Sequence, residues 1–142
     1  MVVRIWTFLM LISALLTGND EVALIKTTQG DVSVKRGNET LAVQKGDVLL
    51  EHDILQTGEK GMIGLSFNDG TLISLGAKSV FSVDAYLFAP AQKKFVFEVM
   101  LHKGTAAFES GRIGKLAPQK VRFKTTQGII GIRGTKFVVE LE

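Results

Sequence analysis

Cysteine is absent from this chain, and proline occurs only twice. Without thiols there is no disulfide framework, no thiolate metal site, no thiol nucleophile and no lipid-modified cysteine. The absence does not identify a redox compartment, because a cysteine-free chain folds equally well on either side of a membrane. The two prolines, Pro90 and Pro118, fall in linker-like stretches. Histidine is as scarce, with His52 and His102 each expected in a different turn. Long apolar runs are missing as well. The longest, Ile5 to Leu16, is twelve residues, short of the roughly 20 that a helix needs to cross a bilayer about 30 Å thick. No integral membrane span is therefore expected.

What that run does fit is an export signal. Met1 to Arg4 is a short basic lead ahead of an apolar core, the order found in secretory signals. The expected division is a signal peptide over residues 1–18, cut near Gly18–Asn19, and one domain over residues 19–142. An uncleaved peripheral anchor is the first alternative and a buried core helix the second, the latter disfavoured because Thr7 and Ser13 give no clean polar stripe. With 46% apolar and 22% charged residues, the remaining chain has the composition of a folded domain with a real core.

Past residue 20, apolar residues recur at every second position: Val32/Val34, Ile63/Leu65/Phe67, Ile73/Leu75, Phe81/Val83, Phe95/Phe97/Val99/Leu101, Val121/Phe123 and Phe137/Val139/Leu141. A period of two is the signature of strands with one buried face. Turn signals separate the runs at Gly30-Asp31, Arg36-Gly37-Asn38, Gly46-Asp47, Thr57-Gly58, Lys103-Gly104, Gly111 and Gly114. Asn68-Asp69-Gly70 between Phe67 and Leu72 predicts a hairpin with a tight primed turn. Asp84 to Lys94 reads as the longest connecting loop, with Tyr86 and Phe88 tucked beneath it. The pentapeptide Lys-Thr-Thr-Gln-Gly occurs at residues 26–30 and again at 124–128, which predicts one strand–turn–strand device used at both ends. Sustained helical periodicity is not found. The chain is expected to be all-β, with about ten to twelve short strands.

Candidate chemistry is thin. Glu51-His52-Asp53 offers three metal ligands on paper, but adjacent strand residues point to opposite faces and do not converge. No metal site or cofactor is expected. No serine has the Gly-x-Ser-x-Gly context of a nucleophile elbow. The spaced glycines from Gly128 to Gly134 precede a strand rather than the helix a phosphate loop requires. Asp47, Asp53 and Asp69 sit in turn signals, where aspartate bends or caps the backbone. No catalytic residue is assigned, and the chain is not expected to be an enzyme.

Charge is more informative. The balance is 17 basic against 14 acidic residues, but eight bases and one acid lie between Lys103 and Lys136, while residues 19–60 hold eight acids and five bases. Arg122 and Lys124 alternate with Val121 and Phe123, so both should leave one face of a strand. Lys120, Arg122, Lys124, Arg133 and Lys136 are the candidate partner-binding residues, for an anionic envelope protein or polyanion. Edge protection by lysines is the competing explanation. No aromatic platform interleaves with these bases, which argues against nucleic acid. Arg133-Gly134-Thr135 could fork onto a partner carboxylate or pair internally with Asp31, Asp47 or Asp69; the internal role is favoured.

Six segments stand in one order: Gly30-Asp31-Val32-Ser33-Val34, Gly46-Asp47-Val48-Leu49, Asp53 to Gly58, Leu65 to Leu75, Lys103-Gly104-Thr105, and Arg133-Gly134-Thr135-Lys136-Phe137. Together, over residues 26–140, the sequence resembles the FecR domain, an extracytoplasmic β-domain of bacterial envelopes. Gly46, Asp47, Thr57, Gly58, Asp69, Gly70, Arg133, Gly134 and Thr135 are the positions taken as its structural motif. The resemblance implies a compact β-roll, solenoid-like, or a twisted sandwich. It also implies a protein that passes signals from an outer-membrane receptor to a sigma factor, or an accessory module on a surface protein. Here the apolar stretch begins at Ile5, with no cytoplasmic anti-sigma segment before it, so a free-standing periplasmic or secreted module is expected. Its function would be non-catalytic binding of another envelope component, as a sensor or adaptor. The alternative is a structural envelope protein that self-associates through strand edges.

Overall fold

The structure, a computed structural model, describes residues 21–132 and 136–142. The expected signal peptide and the Arg133-Gly134-Thr135 motif lie outside them. Twelve strands make one continuous, curled, mostly antiparallel sheet. They are β1 (Glu21–Gln29), β2 (Val32–Arg36), β3 (Glu39–Ala42), β4 (Val48–Leu50), β5 (Ile54–Thr57), β6 (Met62–Phe67), β7 (Leu72–Leu75), β8 (Val80–Ala89), β9 (Lys94–Glu109), β10 (Val121–Thr125), β11 (Gly128–Ile130) and β12 (Lys136–Leu141). One short helix, α1 (Arg112–Leu116), and single 3-10 turns at Pro90–Gln92 and Pro118–Lys120 interrupt the strands.

β9 organises everything else. Its first half pairs with β8 on one edge and, in parallel, with β10 on the other; its second half pairs with β7 and β12. The order β3-β2-β5-β8-β9-β7-β6-β1-β4 thus folds over at β9 into two facing layers. Along β9 the buried side chains are Phe97, Val99 and Leu101, then Ala106 and Phe108. The alternation slips by one residue at Gly104, whose φ is +92°. A Cβ there would run into the backbone and side chain of Ser79, so only glycine lets the strand turn this corner. The predicted turn at Lys103-Gly104 is therefore a bend within one strand.

The core runs through both layers. Ile25, Ile63, Leu65 and Ile73 from one meet Val34, Leu55, Phe81 and Val83 from the other, all buried. An aromatic chain ties the late strands together: Phe67 to Phe97 at 5.0 Å, Phe97 to Phe108 at 6.0 Å, and Phe108 stacked on Phe137 at 4.8 Å. Fully burying such a ring contributes about 1.5–3 kcal/mol, and Phe67, Phe97 and Phe108 are buried to that extent.

Several sequence-based expectations need correction. Asp84–Lys94 is not a loop: β8 and β9 run through it as a hairpin turning at Pro90–Lys93. Tyr86 is buried and Phe88 half-buried, as expected, but within a strand. The hairpin at Asn68-Asp69-Gly70 has the Gly70 N–H on Phe67 carbonyl at 2.9 Å and the Phe67 N–H on Thr71 carbonyl at 2.9 Å. Only Gly70 has positive φ there, so this is a three-residue turn with a glycine bulge rather than a primed two-residue turn. The repeated pentapeptide does lead from strand through turn to strand in both places. Its second copy makes the β10–β11 hairpin, whereas its first joins β1 to β2, which do not pair with each other. His102 lies in β9 rather than in a turn.

Candidate functional site

The aspartates are committed to the fold. Asp53, 1% exposed, accepts Arg36 Nε on Oδ1 at 2.9 Å and Arg36 Nη2 on Oδ2 at 2.7 Å. Its Oδ2 also accepts the Leu50 N–H at 2.8 Å. This hydrogen-bonded partner raises the Arg36 guanidinium above its ordinary pKa. The arrangement requires His52 to take a left-handed φ of 72°. The Asp53 carboxylate is thereby turned inward, away from the exposed His52 ring, so Glu51, His52 and Asp53 do not converge on a metal. The sequence marks Arg36 only as part of a turn signal; a basic residue before a turn gives no sign of its distant partner.

Asp69 is equally occupied. Oδ1 accepts the Tyr86 hydroxyl at 3.1 Å and the Thr71 N–H at 3.2 Å, while Oδ2 accepts the Thr71 hydroxyl at 2.8 Å and the Ile113 N–H at 3.1 Å. Both oxygens have two donors, which fills a carboxylate. Other motif residues hold loops to strands. Gly46 and Asp47 bond both backbone groups of Ile25 at 2.8 Å. The Thr57 hydroxyl donates to Gly76 carbonyl at 2.6 Å and accepts the Ser79 N–H at 2.8 Å, and the Gly58 N–H bonds Asp31 carbonyl at 2.9 Å.

A serine, a histidine and an aspartate do meet on the outer side of β8 and β9. The Ser82 hydroxyl donates to Asp84 Oδ1 at 2.9 Å, and His102 Nε2 lies 2.9 Å from Ser82 Oγ. Lys124 Nζ reaches Asp84 Oδ2 at 2.6 Å. The order is carboxylate–serine–imidazole. This differs from the carboxylate–imidazole–serine order of a triad, and with Lys124 the cluster links β8, β9 and β10.

The candidate basic residues divide. Val121 and Phe123 are buried and Arg122 is exposed, as the alternation predicts. Lys120 is exposed, and Arg122 has only a 4.0 Å approach to Glu98. Lys124 is held by Asp84, and Lys136 on β12 lies 3.7 Å from Glu109. Arg122 stands at the margin of a shallow groove of about 600 Å³ lined also by Pro118, Val121, Ile129 and Ile132. Ile129 is 58% exposed there. A depression of about 420 Å³ crosses the outer side of β7, β9 and β12 between Leu72, Ala107 and Val138. Neither was legible in the alternation, because each is assembled from strands or turns separate in sequence. Among the described residues no helix is long and apolar enough to cross a membrane.

No curated protein matches the chain. A solved structure described as a cell surface anchoring domain is 26% identical to it over 43% of this chain and 82% of its own, with a TM-score of 0.41. The family model described as FecR protein matches residues 53–142, from the Asp53 turn through β12 and more than half of the sequence. The chain belongs to the FecR family.

Proposed function

We propose that residues 1–18 direct export and that residues 19–142 form a non-catalytic periplasmic or secreted domain that binds an acidic envelope protein. The groove beside β10 carries this reading. It sets an exposed cation, Arg122, against exposed Ile129. An apolar floor with an arginine at its margin is the composition of protein-recognition surfaces. The buried carboxylates support a non-catalytic role, since Asp53 and Asp69 spend their oxygens on the fold. Lys124, held by Asp84 at 2.6 Å, and Lys136, on β12 and outside the groove lining, contribute less than Arg122. Arg133 is assigned an internal, structural role, so Arg133→Ala should lower Tm more than Lys136→Ala.

The test is capture from solubilised envelope extract by the purified chain at low and moderate salt. Retention of one acidic protein at both salts, lost in Arg122→Glu and Ile129→Asp, supports the proposal. Capture of many anionic components at low salt alone, indifferent to both substitutions, overturns it. Amino-terminal sequencing of the exported chain tests the cut near Gly18–Asn19.

A further inference from the structure

Four of the described strands pair with a single neighbour: β3, β4, β11 and β12. β12 has six residues against four or fewer for the others. Its pairing with β9 is regular from Lys136 to Leu141, with no bulge. Its outer face presents Lys136, Val138 and Glu140 in alternation, all exposed. Val138 is 72% exposed, more than any other large apolar side chain described. Edge strands are ordinarily blunted by a proline, a bulge or a charge; β12 carries none of these at its centre.

We propose that β12 pairs antiparallel with β12 of a second copy, about a two-fold axis through Val138. That register sets Lys136 opposite the second copy's Glu140 twice, and Val138 against its counterpart. On the inner side, half-buried Phe137 meets buried Val139. Charge selects the arrangement. Parallel, in-register pairing would place lysine beside lysine and glutamate beside glutamate. Moving the axis by one residue would set Val138 against a charge. Within one chain Lys136 already stands across from Glu109, whereas Glu140 faces Thr105 and makes no ion pair among the described residues. The two-fold supplies that missing cation and continues an alternating row, Glu109–Lys136–Glu140, into the other molecule. Each β12 then has both edges filled, so assembly closes at two copies. The interface is small, and its dimer is a weak one. This inference uses an edge separate from the β10 groove and stands or falls independently of the binding proposal.

The test uses the full chain in three forms, measured by light scattering and sedimentation at high micromolar concentration. Wild type should dimerise. Lys136→Glu alone and Glu140→Lys alone each set like charges opposite one another twice, and each should weaken the dimer about tenfold or more. Mixed in equal amounts, the two variants regain opposite charges at both positions and should form a heterodimer. Association through the apolar leading segment would be indifferent to these changes. Because the chain has no cysteine, Val138→Cys supplies a second readout: the two introduced thiols should oxidise to a disulfide-linked dimer, and those of Leu87→Cys should not. A wild type that stays monomeric, or variants that fail to complement, would overturn the proposal, as would equal cross-linking at both cysteine positions.

Discussion

The backbone N–H of Asp69 donates to the Tyr86 hydroxyl at 2.9 Å, and that hydroxyl returns its proton to Asp69 Oδ1 at 3.1 Å. This reciprocal pair ties the β6–β7 hairpin to β8, while Asp69 also holds Thr71 and the Ile113 N–H at the start of α1. Tyr86→Phe keeps the ring packed on Phe67 and Phe97 and removes only the hydroxyl. It should cost about 1–3 kcal/mol. Asp69→Ala strands four donors and should cost more. Chemical denaturation of both variants gives the ranking, and equal losses would contradict it.

Alkaline pH should act through the same tyrosine. Burial chiefly, and then the nearby Asp69 charge, push the Tyr86 pKa well above its ordinary value. The folded state therefore keeps a proton that the unfolded chain releases near pH 10. Stability from this group is complete below that pH and is lost as pH rises beyond it. Tyr86 is the sole tyrosine, so ultraviolet titration reads it directly. Phenolate absorbance should appear together with unfolding; its appearance near pH 10 in folded protein would refute the prediction.

Gly104→Ala should be among the most damaging single-methyl additions in this domain. It combines a positive φ with a clash against Ser79 and should cost at least about 2 kcal/mol. Gly37→Ala is the control, because Gly37 also has positive φ but its Cβ would meet nothing within 4 Å. Thermal melts of the two variants should separate clearly, with Gly104→Ala lower.

Arg36→Lys should cost about 1–2 kcal/mol despite retaining the charge, since lysine lacks the planar fork that engages both Asp53 oxygens. Asp53→Asn loses the ion pair and should cost more. Urea titrations would check the order.

The strands were legible where one buried face met a uniform period, as in Ile63, Leu65 and Phe67. The period failed at irregularities. In β8 the buried series passes from Phe81 and Val83 to Tyr86 because the register shifts between Val83 and Ala85. That one-residue slip made residues 84–94 resemble a loop. The slip at Gly104 hid the second half of β9 in the same way. Turn aspartates were recognisable by type, but their partners were not. Tyr86 lies 17 residues from Asp69, and Ile113 lies 44 away, with no local pattern to announce either. The basic residues were visible as a charge run. Their acidic neighbours were not, since Asp84 and Glu98 come near Lys124 and Arg122 only once β8, β9 and β10 are side by side.

β9 also constrains the order in which this chain can acquire its structure. β5 and β6 belong to different layers, and the path of the sheet between them passes through β8, β9 and β7. A chain delivered amino terminus first presents more than half its length before the strand that joins its layers exists. Until residue 109 emerges, the apolar faces of β1 to β7 have no completed opposing wall. Closing such distant pairings late makes folding slow. The amino-terminal half should therefore remain open to proteases until nearly the whole domain has emerged.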